Sequence, residues 1–235
     1  MGDAAQRGFV GEDLELFRSE FEIDCPYDVP TAIHGAAKRV LDLAIAIPLL
    51  IFVLPLMIGV AIAIKISDGG PVLFRHERFG RAGRTFICYK FRTMVTNASE
   101  RLRLVLENDP EARAEWSVDH KLQNDPRITP LGKFLRRSSL DELPQLFNVI
   151  RGDMSLVGPR PITASEIAKY SGSYSYYTST RPGVTGLWQV SGRNQTTYAE
   201  RVALDVEYVR SWTILTDVII LIRTIPAVIL SRGAF

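Results

Sequence analysis

Two adjacent carboxylates, Asp141 and Glu142, stand in the stretch SSLDELPQLFNVIRGDMSLVGPRP, residues 138–161, just ahead of a proline and an apolar run. Leu143, Leu146, Phe147 and Ile150 recur at the spacing of one helix face, which predicts an amphipathic helix ending near Gly152. Pro144 lacks an N–H and belongs in the first turn, so the N-cap is no earlier than Leu140 and the acidic pair lies at the helix entrance. Free N–H groups and the backbone dipole there favour negative charge, keep Asp141 ionised and form a seat for phosphate. An ionised carboxylate beside an electrophilic phosphorus is the arrangement for an acyl-phosphate intermediate. Repulsion between the anions then calls for cations: Mg2+ held by Glu142, with Arg136, Arg137 or Arg160 nearby. An ordinary acidic first turn, present for stability alone, has the same signature.

Other residues could serve the same chemistry. Gly158-Pro159-Arg160-Pro161 fixes an arginine in a stiff backbone, suited either to aiming a guanidinium at phosphate or to a surface ion pair. YKFRTM puts Lys90 and Arg92 on one face of an expected strand, as a basic wall or as the charged outer row of an edge strand. In the glycine-rich RPGVTGLWQVSGRN, Trp188 could stack on a base, although buried packing is the commoner role of such a residue. Cys25 and Cys88, with His34, His76 and His120, are scattered and match no zinc spacing. The isolated cysteines fit a reducing compartment.

These residues need elements to position them. Residues 1–35 read as an acidic tail without the basic start and apolar core of a cleaved signal. Residues 36–66 hold a long apolar helix, uncharged from Leu43 to Ile64, about 33 Å if straight. Pro48 and Pro55 interrupt it, and basic residues flank both ends, so a bilayer-spanning helix and a re-entrant one broken near Pro55 stand equally open. Residues 67–235 read as an α/β domain, α-rich with short strands. It has a hairpin around GRAG, charged helices broken at Asn108-Asp109-Pro110, and a helix carrying Val202, Val206 and Val209. The last apolar stretch contains Asp217, Arg223 and Pro226, which suits core packing or the membrane interface better than a span. Twenty-eight basic against 26 acidic side chains leave a net charge of +2, which disfavours nucleic acid as a partner.

Together, KRVLD ahead of a proline-interrupted apolar helix, YKFRTM, DPRITPLGKFLRRSSLDELPQLFNVIRGDMSLVGPRP and RPGVTGLWQVSGRN resemble the bacterial sugar transferases, the monotopic polyprenyl-phosphate phosphoglycosyl transferases. The resemblance covers residues 36–235, and SDGGP, PEARAEW and TIPAVILSRG point to the exopolysaccharide-initiating galactosyl-1-phosphate branch. It implies a membrane-associated monotopic fold with a re-entrant helix over 36–66 and a catalytic domain over 67–235 that has C-terminal interfacial helices. It further implies transfer of galactose or glucose 1-phosphate from a UDP-sugar to undecaprenyl phosphate through an aspartyl phosphosugar, with release of UMP. Asp141 would be the nucleophile and Glu142 the Mg2+ ligand, with Lys90, Arg92, Arg136, Arg160 and Asp205 at substrate-binding positions. The location implied is the bacterial inner membrane, catalytic domain on the cytoplasmic face; a homodimer is the base-rate expectation. Leu54-Pro55 departs from the Ser-Pro that relatives often carry at the helix break. A catalytically silent scaffold that recruits glycan-assembly proteins through its acidic tail is the competing reading.

Overall fold

The computed structural model describes residues 29, 30, 33, 35–119, 122, 124–192 and 196–229, so nearly all of the expected acidic tail, with Cys25, lies outside the described residues. Helix α1, Ala36–Asp68, begins at Gly35 and ends where Gly69 adopts the left-handed conformation and donates its N–H to Lys65 O at 3.0 Å. At about 50 Å it is the one helix among the described residues long and apolar enough to cross a membrane. Pro48 and Pro55 both lie inside it, so the prolines do not divide it into separate elements.

One stripe of α1 is covered along its whole length. Lys38, Asp42, Ala46, Met57, Val60 and Ile64 are buried, and Leu50 and Val53 pack between them, a spacing of three and four that keeps one face against the domain. The N-terminal half packs with Val149, Met154, Val157 and Ile220, the C-terminal half with Phe91, Leu135, Leu140 and Leu143. The opposite face is apolar and bare, with Phe52 82% exposed and Ile51, Ile58, Ile62 and Ile66 exposed beside it.

The expected hairpin is present: β1, Leu73–Phe79, pairs antiparallel with β2, Thr85–Phe91, across a 3-10 turn at Arg81–Gly83 in which Ala82 takes a positive φ. The register opposes Phe74 to Lys90 and His76 to Cys88. The charged helices follow as α2, Ala98–Asn108, and α3, Pro110–Asp119, with the Asp109 carboxylate accepting from the N–H groups of Glu111 and Ala112. No residue of α2 is buried, so its charges form a solvated face. Helix α4, Pro130–Arg137, starts on Thr129, whose hydroxyl accepts from Gly132 N–H.

The second half of the domain is built on a parallel pair, β3 (Ser155–Val157) and β4 (Gly183–Thr185). Around it stand α5 (Gln145–Arg151), α6 (Ala164–Tyr170), α7 (Tyr174–Thr178), α8 (Leu187–Ser191), α9 (Tyr198–Arg210) and α10 (Ile214–Ile229). Asp217 of α10 does not face lipid. It is fully buried, receives Lys38 Nζ at 2.7 Å and accepts from Tyr208 Oη at 2.8 Å. Asp42 in turn accepts from Ser155 Oγ at 2.9 Å and Leu156 N at 3.0 Å. Lys38 and Asp42 of KRVLD are therefore a buried lock between α1, β3 and α10, and Arg39 adds donations to Val149 O and Ile150 O at the end of α5. One face of α10 packs on the core through Ile220, while Leu215, Ile219, Ile222 and Ile225 remain exposed.

Candidate active site

The acidic pair sits where Ser139, in a left-handed conformation, turns the chain into a 3-10 turn, Leu140–Glu142. Leu140 and Leu143 anchor that turn against α1, which presents Asp141 and Glu142 on the other side. Helix α5 then begins at Gln145, with Pro144 as its N-cap, and ends at Gly152 with φ 94°. The dyad is thus one turn ahead of the α-helix rather than within it, and burial and side-chain cations together set its charge state.

Lys90 of β2 approaches Glu142 Oε1 at 2.5 Å and Asp141 Oδ2 at 4.0 Å. Arg160 approaches the same oxygen, Glu142 Oε1, at 3.7 Å, with its side chain 43% exposed. Burial pushes Glu142 upward, but Lys90, Arg160 and Arg78 together overcome it and draw the carboxyl down to about 2. At Asp141 burial wins: even with Lys90 beside it, the carboxyl is pushed up to about 6, and the adjacent Glu142 charge adds to the rise. Arg136, held by Thr93 Oγ1 at 2.9 Å, contributes a further positive field to Asp141. Asp141 is consequently ionised at neutral pH by a narrow margin, and Glu142 by a wide one.

The loop carrying Arg160 is fastened from two directions. Gly158 N–H donates to Thr185 O at 2.9 Å, and a Cβ at Gly158 would stand 2.5 Å from Arg181 O, so only glycine permits this approach of the two loops. Phe79 N–H donates to Ile162 O at 3.0 Å, joining the same loop to β1.

The sequence-derived site residues separate into two groups. Asp141, Glu142, Lys90, Arg136 and Arg160 come together. Arg92 does not join them: it pairs with Asp68 at the end of α1, and a Cβ at Gly70 would collide with its guanidinium. Lys90 and Arg92 therefore make no common basic wall. Asp205 is likewise outside the cluster, buried on α9 and accepting from Tyr170 Oη at 2.7 Å, its carboxyl pushed up to about 7 by burial. Trp188 is 8% exposed, packs with Arg201 4.7 Å from its ring centroid, and fills the packing role rather than a stacking platform. Arg78 and His76 were given no place in the site from the sequence. They lie at alternate positions of β1 on the face that Lys90 shares through its pairing with Phe74, so a register could have revealed them.

Among the described residues, no three acidic, histidine or cysteine side chains gather into a metal cage. The pair does fit a hard cation that takes most of its ligands from water and phosphate, because both basic groups meet Glu142 through Oε1.

The bacterial sugar transferase profile matches residues 33–231. The chain belongs to the bacterial sugar transferase family. Among relatives in this family, the undecaprenyl-phosphate galactose phosphotransferase of Salmonella typhimurium is 52% identical over 84% of the chain, which spans 41% of that protein's length. The exopolysaccharide production protein ExoY of Sinorhizobium fredii is 50% identical over 86% of the chain and 90% of its own length. The UDP-glucose:undecaprenyl-phosphate glucose-1-phosphate transferase of Escherichia coli is 37% identical over 89% of the chain and 44% of its own length.

Proposed function

We propose that this sugar transferase moves a hexose 1-phosphate from a UDP-sugar to undecaprenyl phosphate and so begins an exopolysaccharide repeat at the cytoplasmic face of the inner membrane. The observation that carries the reading is the placement of Asp141 and Glu142 between Lys90 and Arg160, on a turn seated against the apolar helix α1. The named activities of the Salmonella and Escherichia coli relatives support the donor and acceptor classes. Galactose is the favoured sugar, because a relative named for galactose is 52% identical and one named for glucose 37%.

In the first step an Asp141 carboxylate oxygen attacks the β-phosphorus, the bond from that phosphorus to the bridging oxygen breaks, and UMP leaves with the electron pair. In the second, a phosphate oxygen of the lipid attacks the same phosphorus and returns the electron pair to Asp141. Burial leaves Asp141 weakly solvated and reactive, while Lys90 and Arg160 can follow charge onto the phosphate oxygens. Glu142, with Asp141 alongside, would hold Mg2+, which supplies charge neutralisation for the diphosphate. Helix α1 keeps both halves on the domain and offers its bare face to lipid, which supports a shallow, one-sided insertion that brings the lipid phosphate to the site.

The test is UMP release by the full chain in nanodiscs, given Mg2+, UDP-galactose or UDP-glucose, and undecaprenyl phosphate. Asp141→Asn should abolish release without changing membrane retention. Release that persists in that variant would remove Asp141 as nucleophile, and a folded wild-type protein silent toward both donors would sink the reading for these sugars.

A further inference from the structure

We propose that Arg78 is a positioning residue for Arg160, tying the Gly158–Pro161 loop to the hairpin that carries Lys90 so that the two cations flanking Glu142 keep a fixed separation. The inference rests on the function proposed above. Arg78 Nη1 donates to Pro161 O at 3.2 Å, the carbonyl immediately after Arg160, and meets Glu166 Oε2 at 3.3 Å. Its Nη2 lies 3.1 Å from His76 Nδ1. Glu166 is itself held, accepting from Thr163 N–H and Thr163 Oγ1 at 2.8 Å each in the capping box of α6. Tyr177 completes the frame: its hydroxyl donates to Phe79 O at 2.5 Å and accepts from Ile162 N–H at 3.2 Å.

The guanidinium is suited to this task because its planar fork serves a carbonyl, a carboxylate and an imidazole nitrogen together. The ammonium of Lys90 is fixed by strand register, whereas Arg160 is on a loop with a half-exposed side chain. Without Arg78 the loop would keep its backbone attachments through Gly158, Pro159 and Ile162 but lose its side-chain tie at Pro161, on the C-terminal side of Arg160. A displacement of about 1 Å at a phosphate-binding group suffices for roughly a hundredfold loss of rate. Arg78 acts on phosphate through Arg160, so its effect depends on Arg160 being there.

The experiment is a double-mutant cycle on the full chain in nanodiscs: wild type, Arg78→Lys, Arg160→Met and the double variant. It reads kcat/KM for UMP release, the Kd for UDP with Mg2+, and the thermal unfolding midpoint. The expected result is that Arg78→Lys costs tenfold or more when Arg160 is intact and less than about twofold in the Arg160→Met background, with an unmoved midpoint. Equal losses in both backgrounds, no loss in either, or a loss that tracks a fallen midpoint would each overturn the proposal. Should Arg78→Lys fail to fold, Glu166→Gln, which removes the charge that holds Arg78, takes its place in the cycle. Failure of the functional reading is distinguishable: the wild type would then release no UMP, and the coupling is decided from the UDP Kd values alone.

Discussion

Asp141 and Glu142 are sequence neighbours with opposite electrostatics, and the cause is which of them the cations touch. Lys90 at 2.5 Å and Arg160 at 3.7 Å both favour Glu142, while Asp141 has Lys90 only at 4.0 Å and bears the full cost of burial. A permanently charged anchor beside a weakly solvated carboxylate is the division of labour that the proposed transfer needs. Lys90→Met should therefore lower kcat for UMP release by roughly a hundredfold or more, as loss of a charge-stabilising donor does, with Lys90→Arg recovering part of it. A steady-state assay with both donors checks this; an unchanged kcat would remove Lys90 from the site. Asp205 gives a pH prediction. Its folded-state carboxyl titrates near 7 and its unfolded one near 3.8, so the folded state holds a proton that the unfolded chain releases. Its contribution to stability is complete below about pH 3.8, falls as pH rises through the window to 7, and is flat above, a change of up to about 4 kcal/mol. Asp205→Asn should be no more stable than wild type near pH 4 and progressively more stable toward pH 8, read from unfolding midpoints. A difference that does not vary with pH would mean that Asp205 is ionised in the fold.

At the scale of elements, the lock between α1, β3 and α10 stabilises only as a set. Lys38 and Asp217 are both buried, so removing one leaves an unpaired charge in the core. Asp217→Ala is expected to cost about 3–5 kcal/mol, whereas Lys38→Met with Asp217→Leu should recover most of it, by unfolding in detergent. Equal losses for the single and the double variant would mean that packing around Asp217, not its charge, is what matters. The sequence marked these residues in another sense. Asp217 argued against a membrane span as a charge in an apolar run, but its partner Lys38 lies 179 positions away, a pairing no local pattern encodes. The hairpin was legible from alternation and turn residues, and the α2–α3 break from Asn108-Asp109-Pro110, because both are local. The acidic pair's position before α5 was readable to within a turn from Pro144. The departure of Arg92 toward Asp68 was not, because strand alternation says nothing of what lies at the end of α1.

For the whole molecule the question is how a 33-residue apolar helix and a polar site share one protein. Composition and two prolines left spanning and re-entrant forms open; the buried stripe, which depends on tertiary packing, bears on that choice. If α1 stood across the bilayer, its C-terminal half would carry Phe91, Leu135, Leu140 and Leu143 with it, and those last two leucines flank Asp141 and Glu142. The dyad, Lys90 and Arg160 would then enter hydrocarbon, at a cost of several kcal/mol for each charge. Laying α1 along the surface avoids that cost and still gives Ile51, Phe52, Ile58 and Ile66 to lipid. Both ends of α1 should therefore be reached from one side. Single cysteines at the exposed positions Ala37 and Ser67, in a Cys25→Ser, Cys88→Ser background, should both react with a membrane-impermeant maleimide in inverted inner-membrane vesicles and in neither case from outside intact cells. Labelling of the two ends from opposite sides would establish a span, and the packing of α1 along the domain would then have to open on insertion.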